Sequence, residues 1–514
     1  MMDGTLHAAP SWIRLHAADN VVVARSRIEP DAGGEVDGLR PLEAIPRGHK
    51  MAAAAIARGE AVRKYGQIIG FATADIEAGE HVHTQNLAVG AFTRDHAFCV
   101  DARPTDYVAA AEQIRFEGYR RPDGRVGTRN FIAVIASVNC SATVSRAVAA
   151  HFASPEVMAR HPGVDGVIGL THGGGCAINT ATEGYRYLTR TIAGYATHPN
   201  VGGVLMIGLG CETNQIPALL AREGLAQSDR LRTMTIQALG GTRRTIEAGI
   251  EAVEAMMPAV GAARRQPMPV SGLVLALECG GSDGYSGISA NPALGHAADL
   301  LVRHGGTVVL AETPEIYGAE HLLTRRASSP AVAEKLLARI AWWRDYAERN
   351  NAEMDNNPSF GNKAGGLTTI LEKSLGAVAK GGSSALEGVL EYAERVETPG
   401  LVFMDTPGYD PVAVTGQVAG GCNLICFTTG RGSVSGFKPA PSLKLASNSD
   451  MFRHMSEDMD IDCGTVITGA ETVEQLGERI FRLMIETASG RPTLSETLGY
   501  GDNEFVPWQV GAVM

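Results

Sequence analysis

The sequence predicts an α/β protein in which a small β-rich module precedes two α/β domains with largely parallel sheets. Three observations carry this expectation. Residues 12–92 hold short β-like runs separated by turns, Asn20–Ala24, Ala61-Val62, Gln67–Gly70 and His81–His83. From Tyr119 the rhythm changes to apolar strand, glycine loop and amphipathic helix, the pattern of βαβ units. At 514 residues the chain is also too long for a single hydrophobic core.

The segment 93–116 carries the turn-prone or charged pairs Arg94-Asp95 and Arg103-Pro104 and reads as a linker. In the first α/β domain, 117–262, Phe131–Ser137 leads to Asn139-Cys140 and a helix over Thr143–Phe152. Val164–Leu170 leads to Thr171–Cys176 and a helix near Thr180–Gly194. Val201–Ile207 leads to Gly208–Glu212 and a helix from Ile216. The polar, proline-containing stretch Ala262–Pro269 marks a break. In the second α/β domain, 270–513, Gly272–Glu278 closes in Cys279–Gly287, and Gly305–Ala311, Gly400–Met404 and Leu424–Thr429 continue the pattern.

Composition narrows the function. A net charge of −11 argues against a nucleic-acid partner, which demands a concentrated basic surface. Met1–Pro10 lacks the features of a secretory signal, and apolar runs such as Gly272–Leu277 are far shorter than the ~20 residues that cross a bilayer. A cytoplasmic protein without a membrane partner is expected, acting on a small molecule and free to form a homo-oligomer. Eight cysteines without a Cys-x-x-Cys pair do not make a disulfide framework.

Ligands of open α/β sheets bind outside the carboxyl ends of the strands. Five polar loops follow expected strands here: Asn139-Cys140, His172 with Cys176, Cys211-Glu212, Cys279 with Ser282-Asp283, and Thr428–Gly432. The run Gly430–Gly436 lacks the G-x-G-x-x-G spacing of a dinucleotide loop, which argues against a nicotinamide enzyme. It reads either as an anion pocket with Arg431 or as a glycine turn with a solvated arginine. Cys140, Cys176, Cys211 and Cys279 sit at strand-to-loop junctions. As small residues they suit the core or a pocket wall, which is the preferred reading; a thiolate metal site or iron–sulfur cluster is the alternative. The β module concentrates His16, His49, His81 and His83, and alternation puts His81 and His83 on one face of a strand. Such imidazoles are either ordinary surface and core residues or ligands of a divalent ion such as Fe(II) or Mn(II).

Several long motifs resemble one family. His16–Val23, Gly48–Ala52, Lys64–Gly70 and Gly79–His83 resemble the SAF domain that opens altronate/galactarate dehydratases. Glu117–Asn130, Ile207–Glu212, Glu278–Pro292, Asn357–Gly366 and Thr429–Gly432 look like the second and C-terminal domains of that family. The His81-Val-His83 pair and Pro314–Glu320 look like its altronate branch, whereas Tyr119–Asn130 and Met459–Gly464 look closer to its galactarate branch. Gly174-Gly175-Cys176 departs from both, which carry bulkier residues there.

The resemblance implies a hydro-lyase that forms a 2-keto-3-deoxy sugar acid with Fe(II) or Mn(II). Loss of sulfite from a sulfonated hydroxy acid is the alternative chemistry. The expected site holds the metal through His16, His49, His81 and His83 over the α/β crevice. Glu212, Ser282, Asp283, Asn291, Asn362 and Arg431 orient substrate, and His49, Lys50, His172 or Lys363 serve as acid or base. Structural roles compete: Lys50 and Lys363 could be solvated, and Asp283 or Asn291 could cap the following helix.

Overall fold

The computed structural model describes residues 11–30, 38–90, 92 and 94–511; the expectation for Met1–Pro10 and the start of the linker at Thr93 lie outside them. The N-terminal module is β-rich, made of two small antiparallel sheets. One runs in the order Trp12–Ile13, Val21–Ala24, Lys50–Ala52, His81–Val82, and the other in the order Ala61–Lys64, Gln67–Ala72, Leu87–Ala88. Val21–Ala24 is buried along its whole length, which suits its run of β-branched residues. Ala61–Lys64 alternates, so Val62 and Lys64 both point inward. The strand holding the histidine pair stops at Val82, where His83 N donates to Asn86 Oδ1 and starts a turn.

The connecting segment is tied down. Cys99 N donates to Thr324 O, Asp101 N to Arg325 O and Val108 N to Arg303 O. Arg115–Arg120 then pairs with Gln266–Pro269 on one side and with Val126–Gly127 on the other. Part of the stretch expected as a polar linker is therefore a strand. Pro267 and Pro269 are tolerated because the strand lies at the sheet edge, where a missing N–H breaks no ladder.

Between these paired strands sits a four-stranded parallel sheet in the order Gly166–Leu170, Phe131–Ala136, Val201–Gly208, Leu231–Thr235. Helices Ala142–His151 and Thr242–Gly261 cover one face through Val144, Val148, Val253 and Met256. Helix Glu183–Ala196 covers the other and packs on helix Asp410–Gly420 of the following domain. Their backbones touch at Gly194, where a Cβ would lie 2.2 Å from Ala419 O.

The last domain holds seven parallel strands in the order Leu386–Leu390, Gly400–Met404, Thr307–Leu310, Val274–Cys279, Leu424–Thr429, Ser442–Ala446, Ile461–Asp462. Helices Ala290–Arg303 and Val473–Ala488 pack together in its main core, with Leu294, Leu301, Leu476 and Ile480 fully buried. Strand order reverses between Val274–Cys279 and Leu424–Thr429, and a ligand crevice is expected outside their carboxyl ends. Among the described residues, no helix is long and apolar enough to cross a membrane.

Candidate active site

Three imidazoles converge at the rim of the N-terminal module. His49 leaves a turn at Gly48, which needs its positive φ of 76°, and precedes strand Lys50–Ala52. His81 is paired across that strand with Met51, and His83 follows on the same face. His49 Nδ1 is 3.0 Å from His81 Nε2, and the His81 and His83 rings stack at 5.5 Å. One ring nitrogen from each lies within 4.8 Å of the others. Burial, reinforced by the Lys50 ammonium, pushes His49 down to about 4 and His83 down to about 3, and His81 moves the same way. His83 Nδ1 is buried with no hydrogen-bond partner among the described residues. Neutral imidazoles with converging lone pairs are the donor set a divalent transition ion takes, so the residues fit such a metal. His16 is not in this group: it is exposed, and its Nδ1 accepts from Ala18 N.

The triad faces the strand-order reversal of the last domain. His49 Nε2 is 3.3 Å from Ala364 O at the end of helix Phe360–Ala364. That helix begins with a capping box between Ser359 and Asn362. Gly284 N donates to Gly365 O, and a Cβ at Gly366 would lie 2.4 Å from Gly48 O. Three backbones thus meet without side chains between them. Lys363 is half-buried on this helix and has no ion-pair partner within 4.0 Å among the described residues. Arg431 is exposed at its head, while its stem passes Gly281 and Gly365.

The other expected site residues are used differently. Lys50 is fully buried, and its ammonium donates to Gly366 O and to both oxygens of Glu372, so no donor remains for substrate chemistry. Asp283 accepts from Tyr285 N, Ser286 N, Ser286 Oγ, Ser447 Oγ and Asn448 Nδ2, and so clamps two strand-end loops together. Asn362 donates to Ser282 O, which fixes the Ser282 backbone. Asn291 lies inside helix Ala290–Arg303 rather than capping it; it donates to Gly376 O and accepts from Thr428 Oγ1. His172 Nε2 donates to Ala136 O and its Nδ1 accepts from Gly174 N, so both nitrogens hold a loop. Burial lowers His172 to about 4. Glu212 is buried and accepts from Ser137 Oγ, Leu209 N and Gly210 N. Cys279 is buried, whereas Cys140, Cys176 and Cys211 are exposed, so of the core and pocket-wall readings the core one does not hold for these three.

Sequence reasoning missed a buried group beneath the crevice. Glu278 and Cys279 end one strand; Glu312 and Glu315 follow the next; Asp410 opens helix Asp410–Gly420. Donor atoms of Cys279, Glu312 and Glu315, and of Glu278, Glu312 and Asp410, lie within 4.8 Å of one another. Lys373 Nζ is 2.5 Å from Glu315, and Lys380 Nζ is 3.6 Å from Glu312. Both Glu278 oxygens and one of Glu312 lack partners among the described residues. Burial, with the neighbouring carboxylates, raises Glu278 well above the usual range, Glu312 to about 8 and Asp410 to about 6. Glu312 also holds a positive φ of 69°, a strained conformation found mostly where function requires it. The only signal in the sequence was a set of acids near strand ends.

Family models cover nearly the whole chain in order. The altronate/galactarate dehydratase SAF domain matches residues 10–90. The second domain of D-galactarate dehydratase/altronate hydrolase matches 118–261, and the D-galactarate/altronate dehydratase C-terminal domain matches 270–513. The chain is 38% identical over 495 residues to an altronate dehydratase of Escherichia coli (strain K12), covering 94% of this chain and 96% of the relative. It is 36% identical over 497 residues to the galactarate dehydratase (L-threo-forming) of the same organism, covering 95% of each. A (2R)-sulfolactate sulfo-lyase subunit beta of Chromohalobacter salexigens is 32% identical over 396 residues, 76% of this chain and 96% of that one.

Proposed function

Because the chain belongs to the altronate/galactarate dehydratase family, we propose that it removes water from an altronate-type aldonate to give a 2-keto-3-deoxy sugar acid. The observation that carries this reading is the convergence of His49, His81 and His83 beside the Ala364–Gly366 loop of the last domain. Dehydration of a 2,3-dihydroxy acid removes the C2 proton and expels the C3 hydroxyl. The C2 proton is feebly acidic, because its loss puts a second negative charge beside the carboxylate. His49, His81 and His83 would hold a divalent ion, Fe(II) or Mn(II), which when bound would supply charge stabilisation for that proton loss.

The chain's own groups supply the rest. Arg431, exposed in the Gly430–Gly432 turn, is assigned to the sugar-acid carboxylate, which a guanidinium can hold through two parallel bonds. Lys363, half-buried on the helix whose Ala364 carbonyl meets His49, is the group assigned to take or return a proton. Glu278 and Glu312, whose carboxyls burial raises above the usual range, lie at the carboxyl end of the same sheet, fully buried beneath its surface. Asp283, Asn291 and Asn362 hold the loops that set these distances. The test is a panel of aldonic and aldaric acids incubated anaerobically with ferrous- or manganous-loaded protein and scored for 2-keto acid. Altronate should turn over best; a panel left intact overturns the reading, and a preference for galactarate moves it to the aldarate branch.

A further inference from the structure

We infer that Cys140, Cys176 and Cys211 form the binding site of an iron–sulfur cluster of the four-iron class, held by three thiolates with one iron open to a small oxygen ligand. The site is separate from the histidine triad and stands or falls without it. The adjacent strands Gly166–Leu170, Phe131–Ala136 and Val201–Gly208 each run into a loop bearing one of these cysteines. Strand order reverses between Phe131–Ala136 and Val201–Gly208, the position where α/β sheets bind ligands.

The three loops form one hydrogen-bonded platform. Asn139 N donates to Gly174 O at 3.0 Å, Asn214 N to Gly175 O at 3.0 Å and Thr213 N to Cys176 O at 3.1 Å. Gly175 has a φ of +96°, and a Cβ there would lie 2.6 Å from Ser137 O, so the cysteine loop can rest on its neighbour only as glycine. Glu212 braces the third loop from below.

The thiols are exposed, unlike Cys422, Cys426 and Cys463, which burial keeps protonated. Gln237 Nε2 donates to Cys211 Sγ at 3.3 Å, a contact of the kind that tunes cluster sulfurs. Cys140 immediately precedes the ten-residue helix Ala142–His151. All three cysteines are free, so no disulfide occupies the site. Cys279 cannot be a fourth ligand, because it is buried in the last domain against Glu315.

The test is anaerobic reconstitution of the full chain with ferrous iron and sulfide. Iron and acid-labile sulfide are counted, and the visible sulfur-to-iron absorption and the paramagnetic signal after reduction are recorded. About four irons and four sulfides per chain are expected. Cys140→Ser, Cys176→Ser and Cys211→Ser should each lower labile sulfide by roughly tenfold or more. Cys279→Ser and the double variant His81→Ala/His83→Ala should keep it. Alanine versions, checked by circular dichroism, replace any serine variant that does not fold. Iron bound without labile sulfide overturns the inference, as does a cluster that survives all three substitutions.

Discussion

Lys50 Nζ lies 2.8 Å from Glu372 Oε2, and neither side chain has any exposed surface. Lys64 Nζ reaches the other oxygen of the same carboxylate at 2.9 Å. The two lysines come from the N-terminal module and the glutamate from helix Ile370–Ala379, so one buried anion pins the module to the last domain. The two ammonium groups hold Glu372 well below the usual carboxylate range despite its burial. Glu372→Gln would leave two buried cations without their counter-charge. It should lower stability by about 3–5 kcal/mol in denaturant unfolding, the usual cost of breaking one side of a buried pair. A loss under ~1 kcal/mol would show that the anion does not hold the interface.

Alanine at His81 or His83 should reduce bound divalent metal and turnover together, because each removes one of three converging donors. His16→Ala should change neither, since that ring is exposed and apart from the triad. Metal analysis after dialysis decides it, and unchanged stoichiometry in the His81 and His83 variants would remove them as ligands.

Lys363→Met should slow turnover by roughly 10²–10⁴-fold, the range of a lost acid–base group, with little change in melting temperature. Arg431→Ala should mainly raise KM for the sugar acid, because the residue is exposed while its stem passes Gly281 and Gly365. Steady-state kinetics beside thermal unfolding separates these effects; near-normal turnover in the lysine variant would reject its role.

Stability should fall in mild acid for a reason remote from the site. His172 and His198 are buried and hydrogen-bonded as neutral rings, with folded values lowered by burial to about 4 and about 3. Above their ordinary value of 6.5 neither form binds a proton, so these groups do not affect stability there. Below it the unfolded chain takes up protons that the folded chain refuses, and stability drops as pH falls from 6.5 toward 4. Each ring should contribute up to about 3 kcal/mol to that decline, at 1.36 kcal/mol per pKa unit. Unfolding midpoints across this range test it: His198→Gln should flatten the slope, and an unaltered slope would refute the assignment.

Much of the architecture was readable because its signals are local. Apolar runs ending in glycine loops mark Phe131–Ala136, Val201–Gly208 and Val274–Cys279, and the i, i+2 spacing of His81 and His83 marks two neighbouring rings, although the strand ends at Val82. Roles at the strand ends were not readable. Asp283 could have bound a hydroxyl or clamped a backbone, and the partners that decide it, Ser447 and Asn448, lie more than 160 positions away. Lys50 looked like a catalytic base for the same reason: Glu372 lies 322 positions on. Helix Ile370–Ala379 is buried along nearly its whole length, so its charged residues gave no amphipathic pattern to betray Glu372 or Lys373.

The pairing of Arg115–Gly118 with Gln266–Pro269 joins positions about 150 residues apart in the chain. Everything between them enters and leaves the protein through a single doorway. So large a loop is slow to close unless its contents have already become compact. The cysteine-bearing domain should therefore acquire its shape first, and zip Gln266–Pro269 onto Arg115–Arg120 behind it.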